Sequence, residues 1–258
     1  MDLELKGKVV IVTGAAGGIG RGIAQVMGAE GAKVAIADIN LEGAIETADL
    51  VKAAGGKAIA MKTDVTDMDA VMQMVKRVEA ELGKIDILIN NAGQTLTESR
   101  QKFFWERTTE QSNAIVGMSL LSVMNCCRAV IKDMLERRSG KILNIASVAG
   151  IIGDVKSSEY SASKAGVIGF TRVLAKETAA YGININSISP GPIFTPGMKK
   201  APAELVEKFK RQSGMGRLGK PEDIGYMAAF LVSDKANYIN GHDHVVGGLM
   251  DIGGNGST

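Results

Sequence analysis

The chain has 258 residues, of which 45% are hydrophobic and 22% are charged, as in a folded globular protein with one large domain or two small ones. Thirty basic residues against 28 acidic ones give a net charge of +2, which argues against the strongly basic surface of a nucleic-acid-binding protein. We expect no apolar stretch long enough to span a bilayer, and the N-terminus lacks the arrangement of a secretory signal. The expected location is therefore the cytoplasm.

Short apolar segments rich in β-branched residues alternate with helical stretches along the chain. The apolar segments predict buried strands at 8–14, 33–38, 57–64, 85–93, 140–147 and 183–191. Helices are predicted between them, at 18–30, 41–54, 67–82, about 108–138 and 158–181. This alternation predicts an α/β fold with a doubly wound parallel sheet, in a single domain over residues 1–258.

A glycine-rich loop, TGAAGGIG at 13–20, follows the first strand and opens the first helix. Gly14, Gly18 and Gly20 permit a tight turn and a close approach of the backbone to a pyrophosphate. The N-terminus of the following helix offers N–H groups and partial positive charge to phosphates. The loop therefore predicts dinucleotide binding.

An acidic residue, Asp38, ends the second strand about 20 residues beyond the loop. A carboxylate at this place accepts hydrogen bonds from an adenosine ribose and repels a 2′-phosphate. Because Ala15, Ile39 and Asn40 add no positive charge nearby, the sequence predicts NAD rather than NADP as the cofactor.

The segment YSASK places Tyr160 and Lys164 four residues apart on a predicted helix, so both side chains lie on one face. A neighbouring ammonium favours the ionised form of a phenol, and a tyrosine in that setting acts as a general acid or base near neutral pH. The alternative is an ordinary pair on a helix surface.

The adjacent cysteines, Cys126 and Cys127, are interpreted as buried apolar residues, and no metal site is expected.

The ordered motifs of this chain resemble those of the short-chain dehydrogenase/reductase family. They are TGAAGGIG, NNAG at 90–93, Ser147, YSASK and PGPIFT at 190–195, and the resemblance extends from about residue 5 to about residue 248. It implies a Rossmann-like domain that interconverts a secondary alcohol and a ketone by hydride transfer to or from NAD.

The resemblance also implies a role for each matching residue. Tyr160 would be the acid/base, Lys164 would favour its ionised form and hold the nicotinamide ribose, and Ser147 would hydrogen-bond the reacting oxygen. Asp64 and Val65 would contact the adenine. The residues implied in cofactor binding are Gly14, Gly18, Ile19, Gly20, Asp38, Ile39, Asp64, Val65, Asn91, Ala92, Gly93, Tyr160, Lys164, Pro190, Gly191, Ile193 and Thr195. Among these, Asn91, Ala92 and Gly93 would line the adenosine side and brace the sheet, and Ile193 and Thr195 would bind the carboxamide.

Two positions depart from the family pattern. Ser119 stands where the family often has an asparagine that holds a proton-relay water, so we count Ser119 with the catalytic residues. Asn113 and Asn125 lie elsewhere on the helix and are interpreted as surface or packing residues. VVGG at 245–248 lacks the aspartate that many relatives have before the glycines, which leaves the C-terminal turn around Gly247 open.

Several alternatives remain open from the sequence. The chain could be a catalytically silent relative that serves as a structural or NAD-binding regulatory subunit, or it could catalyse a non-redox reaction with bound NAD. The substrate pocket is expected at Gln94, Thr95, 148–155, Pro192 and 196–215, with an apolar wall from Ile151, Ile152, Val155, Phe194 and Met198.

The segment at about 195–215 is expected to form a lid over this pocket. Within it, five basic residues stand against two acidic ones over 199–211, a net charge of +3. This pattern fits a solvated amphipathic helix or a substrate with an acidic group. The family resemblance implies pairing through the two long helices, so we expect a homotetramer, with a dimer as the alternative, and no nucleic-acid or membrane partner.

Overall fold

The computed structural model describes residues 2–93, 102–199 and 201–252. Within these ranges, parallel strands form one sheet in the order β3-β2-β1-β4-β5-β6-β7. The strands are β1 Val9–Thr13, β2 Lys33–Asp38, β3 Lys57–Lys62, β4 Ile87–Asn90, β5 Gly140–Ile145, β6 Ile183–Pro190 and β7 Asp243–Val246. The predicted doubly wound parallel sheet is therefore confirmed, and the predicted strand ends differ from the observed ones by up to three residues.

Helices cover both faces of the sheet. They are α1 Gly18–Ala29, α2 Leu41–Ala53, α3 Met68–Leu82, α4 Thr109–Val116, α5 Ser122–Arg137, α6 Ala149–Ile152, α7 Ser158–Thr178, α8 Pro196–Lys199, α9 Ala203–Gln212 and α10 Pro221–Val232. Alternate residues of each strand point to opposite faces. Accordingly, Val10 and Val12 pack with α1, α2 and α10, whereas Val9 and Ile11 pack with α3, α5 and α7.

The continuous helix expected over about 108–138 is interrupted. A π-helical turn, Gly117–Leu121, separates α4 from α5, and the Ser122 backbone N–H donates to the Gly117 carbonyl five residues earlier. The Ser122 hydroxyl also donates to the Met118 carbonyl at 2.5 Å. A serine hydroxyl that bonds to the preceding turn often bends a helix, and π turns are frequent at functional sites.

Some elements were not predicted from the sequence. The last strand, β7, has the sequence DHVV and lacks the apolar run of the other strands. The helix α10 follows Lys220 and begins with Pro221, which suits the first helical position. The predicted lid segment contains the helices α8 and α9, and the amphipathic helix considered for 199–211 corresponds to α9.

One helical stretch, Thr109–Arg137, has the length and mean hydropathy (1.8) of a membrane-spanning helix, contrary to the expectation that none exists. Its inner face packs in the core of the domain: Val123, Cys126 and Val130 are each about 2% exposed or less. A core helix passes the same test of length and composition, so this finding alone is weak support for a membrane contact.

The packing of α1 against α10 depends on Gly22. A Cβ atom at this position would lie 2.5 Å from the Cβ atom of Pro221 and 2.7 Å from its backbone carbonyl carbon. Backbone cannot move aside as a flexible side chain can. We therefore expect Gly22→Ala to lower the free energy of unfolding by about 1–3 kcal/mol, measured by urea denaturation. Gln25→Ala, at a partly exposed position of the same helix, is the control and should change it by less than about 0.5 kcal/mol; equal effects of the two changes would contradict this account.

Candidate active site

A cleft of about 1240 Å³ opens where the strands end. Its wall is formed by residues that directly follow β1 to β6, because the carboxyl ends of parallel strands meet at one edge of the sheet. The wall contains the following predicted site residues: Gly14, Gly18, Ile19, Asp38, Ile39, Asp64, Val65, Asn91, Ala92, Gly93, Ser147, Tyr160, Lys164, Pro190, Gly191, Ile193 and Thr195. Gly20 and Ser119 are not on it.

The glycine loop forms the floor at the end of β1. Gly14 has a φ of +64°, and a Cβ atom there would lie 2.6 Å from the Cα atom of Ala92. Gly20 faces inward: a Cβ atom would meet the Gly14 carbonyl oxygen at 2.4 Å and the Asn91 side chain at 2.5 Å. Gly20 therefore lets α1 approach the loop, whereas Gly14 and Gly18 border the cleft.

The N-terminus of α1 points its amides at the cleft. Gly17 is the residue before the helix and makes no side-chain cap, and Gly17, Gly18 and Ile19 all line the wall. Amides at a helix N-terminus have no partner within the helix. The start of α1 is therefore suited to bind phosphate oxygens.

The Asp38 carboxylate is fixed by two backbone amides. Oδ2 accepts a hydrogen bond from the Ala16 N–H and Oδ1 accepts one from the Asn40 N–H, both at 2.9 Å. These bonds hold a negative charge at the edge of the cleft beside the glycine loop. In the described part of the wall, the basic residues are Arg21 and Lys164, and the acidic residues are Asp38, Glu42, Glu46, Asp64 and Asp154.

Arg21 lies near Asp38 but its guanidinium is held by protein groups. It bonds Glu46 Oε2 at 2.9 Å, the Thr47 hydroxyl at 2.9 Å and the Ala16 carbonyl at 2.6 Å. Its positive charge is thus balanced locally by Glu46. Arg21 is a wall residue that no motif in the sequence indicates.

The turn after β3 is held from two sides. Asp64 Oδ1 accepts hydrogen bonds from the Thr66 N–H and hydroxyl, at 2.9 and 2.6 Å. On α5, the Asn125 amide donates to the carbonyls of Val65 and Thr66 at 3.3 and 3.4 Å. Asn125, interpreted from the sequence as a surface or packing residue, therefore tethers the turn that carries Val65, whereas Asn113 is exposed as expected.

The NNAG segment ties β4 to the glycine loop. The Asn91 side chain donates to the carbonyls of Thr13 and Gly14 at 3.0 and 2.8 Å, and the Thr13 hydroxyl accepts from the N–H groups of Asn91 and Ala92. A Cβ atom on Gly93 would lie 3.5 Å from Lys164 Nζ. Gly93 therefore lies beside the lysine, not only on the adenosine side that the resemblance implies.

The tyrosine and lysine of YSASK lie side by side on α7. Lys164 Nζ is 5.8 Å from the centre of the Tyr160 ring and donates a 2.7 Å hydrogen bond to the Ile145 carbonyl at the end of β5. The Lys164 side chain is buried, and Tyr160 is partly exposed on the cleft. The Ser147 hydroxyl accepts a 3.2 Å bond from the Ala149 N–H, which leaves its proton to be donated.

Ser119 lies in the π turn, one residue after Met118, which is on the cleft wall. Ser119 is fully buried, and its hydroxyl has no hydrogen-bonding partner among the described residues. A buried hydroxyl without a protein partner is costly and often bonds to an internal water.

The pocket beyond Tyr160 differs from the expectation. Ile152 and Met198 line the cleft, but Ile151, Val155 and Phe194 do not and are 46%, 80% and 42% exposed. These three were wrongly expected on the wall, because their side chains are turned to solvent on α6, on the loop after it and on the segment after β6. Phe209, from the expected segment 196–215, lines the wall, as do Met118 and Met250, which were not expected there. Gln94 and Thr95 lie outside the described residues.

The helix α9 carries a half-buried apolar side and a charged side. Phe209 lies on the cleft wall, whereas Lys208 and Arg211 are exposed and Lys210 pairs with Glu207 at 2.7 Å. This arrangement favours the interpretation of the basic residues as a solvated face. Lys200, counted with them from the sequence, lies outside the described residues.

The cysteines and the C-terminal turn have structural roles. Burial raises the pKa of Cys126 to about 12, and the Asn90 side chain contacts the Cys127 sulfur at 3.3 Å. In the described ranges, no group of three or more His, Cys, Asp or Glu side chains could hold a metal ion.

The C-terminal turn at VVGG packs closely against the segment after β6. A Cβ atom on Gly191 would lie 2.7 Å from the Gly247 Cα atom, so the absence of a side chain at Gly191 lets these two segments meet.

Comparisons with known proteins identify the family of this chain. The sequence profile of a family described as enoyl-(acyl carrier protein) reductase matches residues 14–249. The chain is 37% identical to the 3-oxoacyl-[acyl-carrier-protein] reductase FabG of Thermotoga maritima over 239 residues. This alignment covers 93% of this chain and 96% of the FabG protein. It is 38% identical to nodulation protein G of Azospirillum brasilense over 244 residues, and this alignment covers 94% of this chain and 98% of that protein.

The same fold occurs in a solved structure. The crystal structure of levodione reductase superimposes with a TM-score of 0.91 at 33% identity, covering 96% of this chain and 98% of that one. The profile and the two relatives extend over nearly the whole length of the chain. The chain therefore belongs to the short-chain dehydrogenase/reductase family and is an oxidoreductase.

Proposed function

We propose that this protein is an NAD-dependent enzyme that interconverts a secondary alcohol and a ketone, with Tyr160 as the acid/base. The observation that carries the proposal is the meeting of Ser147, Tyr160 and Lys164 on one cleft wall, opposite a glycine loop at a helix N-terminus. A phosphate-binding end and a proton-transferring end in one cleft are what a nicotinamide-dependent reaction requires.

The cleft residues fit a dinucleotide. The uncapped start of α1 would hold the pyrophosphate, Asp38 the adenosine ribose and Lys164 the nicotinamide ribose. Ile193 and Thr195 would hold the carboxamide. A Cβ atom on Gly18 would lie 3.3 Å from the Thr195 side chain, so Thr195 lies next to the glycine loop. The bound cofactor supplies or accepts the hydride.

The protein's own groups would move the proton. Ser147, whose oxygen already accepts from Ala149, would donate to the substrate oxygen and orient it. Tyr160 would give a proton to that oxygen during reduction and take one during oxidation. Lys164, held by the Ile145 carbonyl, would stabilise the phenolate, and a water at Ser119 would reconnect the lysine to solvent.

We also propose a small carbonyl or alcohol substrate, a cytoplasmic location and a homotetramer, with the segment at about 195–215 as the lid. Exposed Leu121 and Val173, on the π turn and α7, support pairing through the long helices. Two relatives name substrate types worth testing first, because their names refer to 3-oxoacyl groups and levodione. A screen of 3-oxoacyl esters, cyclic diketones and alcohols, with and without acidic groups, followed by NADH absorbance, would identify the class.

The change Tyr160→Phe tests the acid/base role. It keeps the ring and removes the ionisable hydroxyl, so we expect nearly all turnover to be lost while NADH binding, measured by fluorescence, is retained. Tyr181→Phe is the control, because that tyrosine lies at the far end of α7 and is 45% exposed. Substantial kcat in Tyr160→Phe would contradict the assignment. No NADH turnover by the unchanged protein with any alcohol or ketone would favour the silent or the non-redox alternative.

The pair of changes Asp38→Ser and Ile39→Arg tests the cofactor preference. Removing one negative charge and adding one positive charge beside the ribose should raise the ratio of kcat/KM for NADP over NAD about tenfold or more. Asp49→Ser is the control, since Asp49 pairs with Lys52 on the exposed side of α2. If the ratio does not rise, Asp38 is not the residue that selects the cofactor.

The change Ser119→Ala tests the proton relay. It removes the side-chain anchor for the water but leaves Tyr160 and Ser147 in place, so hydride transfer continues. Because a lost hydrogen bond of this kind is worth about 1 kcal/mol, we expect kcat to fall roughly several-fold to tenfold. NAD affinity should stay the same, and the solvent isotope effect should increase.

A matched change on the same helix controls for packing. Ser122→Ala also removes a buried hydroxyl, but that hydroxyl already bonds the Met118 carbonyl, so the isotope effect should not change. Ser119→Asn, which restores the family residue, should preserve activity. If kcat and the isotope effect are both unaltered in Ser119→Ala, Ser119 only packs between helices and the relay role is wrong.

A further inference from the structure

A buried ion pair lies directly beside the residue proposed as the acid/base. Arg107 NH1 and Glu159 Oε2 are 2.6 Å apart, and the two side chains are 0% and 7% exposed. Glu159 is the second residue of α7 and precedes Tyr160. The other ion pairs in the described ranges involve at least one side chain that is more than a quarter exposed.

The pair forms hydrogen bonds to two further residues, Lys156 and Ser112. The second nitrogen of the Arg107 guanidinium donates to the Lys156 carbonyl at 2.6 Å, and the other Glu159 oxygen accepts from the Ser112 hydroxyl at 2.7 Å. Arg107 ends the short helical turn 104–106, Lys156 is in the loop between α6 and α7, and Ser112 is on α4. The cluster therefore joins the start of α7 to the loop before it and to the helix that leads to Ser119.

The loop that the cluster holds needs an external support. Lys156 has a φ of +66°, a left-handed conformation that a residue with a side chain rarely adopts. Its side chain lies over the Phe103 ring, 4.8 Å from the ring centre, which is a second contact to the same segment. Gly153 and Asp154 of this loop line the cleft, so a shift of the loop would move both the cleft mouth and the first turn of α7.

We propose that Arg107, Glu159 and Ser112 form a clamp that positions Tyr160 for proton transfer. The planar guanidinium reaches the Glu159 carboxylate with one nitrogen and the Lys156 carbonyl with the other, a fixed two-nitrogen geometry that the single nitrogen of an ammonium does not reproduce. The clamp thereby fixes the direction of the first turn of α7 from two sides. A displacement of about 1 Å in a reacting group can cost up to about a hundredfold in rate.

The inference rests on the proposed acid/base role of Tyr160, and the clamp is tested by Arg107→Lys. Lysine keeps the positive charge beside Glu159 and so avoids an uncompensated buried carboxylate, but it lacks the rigid pair of nitrogens with which Arg107 holds the two acceptors. With ethyl acetoacetate and NADH as the probe pair, we expect kcat to fall roughly five- to fiftyfold, while the Kd for NADH, measured by fluorescence, changes less than twofold. A fall in kcat of less than threefold, or one matched by the change in the Kd for NADH, overturns the proposal.

A double-mutant comparison separates positioning from stability. Glu159→Gln and Arg107→Lys should each lower kcat, and the double change should lower it no further than the more severe single change, because the two groups act as one unit. Multiplied effects of the single changes would overturn the clamp. A purely structural role would lower the Tm but leave kcat per NADH-binding site unchanged, and this result would also overturn it.

An exposed pair provides the matched control. Arg77 and Glu81 on α3 are 2.7 Å apart, at half-exposed positions. Arg77→Lys and Glu81→Gln should change neither kcat nor the Kd for NADH. If the unchanged protein has no activity with any ketone, the proposed function fails instead of the clamp, and the two failures are thus distinguishable.

Discussion

The parallel pairing of the strands is the constraint on which the cleft depends. In a parallel sheet, every strand ends at the same edge, so turns that are distant in sequence become neighbours. The pairing of β1 with β4 brings Thr13 beside Asn91, and the pairing of β5 with β6 sets the turns after Ile145 and Pro190 side by side. A shift of one residue in either register would point the side chains at the strand ends to the opposite face.

The two ends of the cleft are held by different kinds of interaction. At the end proposed for the dinucleotide, close backbone contacts dominate: Gly14 and Gly20 allow the chain segments to approach, and the Asn91 side-chain amide donates to the carbonyls of Thr13 and Gly14. At the end proposed for proton transfer, charged and hydroxyl side chains on α7 are fixed through Lys164 and Glu159. The first end depends on glycines that leave room for close backbone approach, and the second depends on side chains held in fixed positions.

The sequence predicted those features that depend on local patterns. Period and turn residues placed six strands, and the spacing in YSASK correctly put Tyr160 beside Lys164. What could not be predicted depends on contacts between distant segments. Nothing near Arg107 in the sequence indicates that it meets Glu159, 52 residues away. The polar start of DHVV likewise does not indicate a strand, which forms by pairing with β6. The observed strand boundaries also differ from the predicted ones, because the last residue of a strand is set by where its hydrogen bonds to the neighbouring strand end.

The π turn sets the rotational phase between the two halves of a long helix. An α-helix turns about 100° per residue, and a π turn contains one residue more than an α-helical turn. Everything before Gly117, including Ser112, is therefore rotated by about one residue step relative to α5. Removing a single residue from 117–121 would leave α5 on the sheet but turn Ser112 away from Glu159. The length of the π turn is thus as important as its composition. With one residue fewer in 117–121, the Ser112 hydroxyl would no longer face the Glu159 carboxylate.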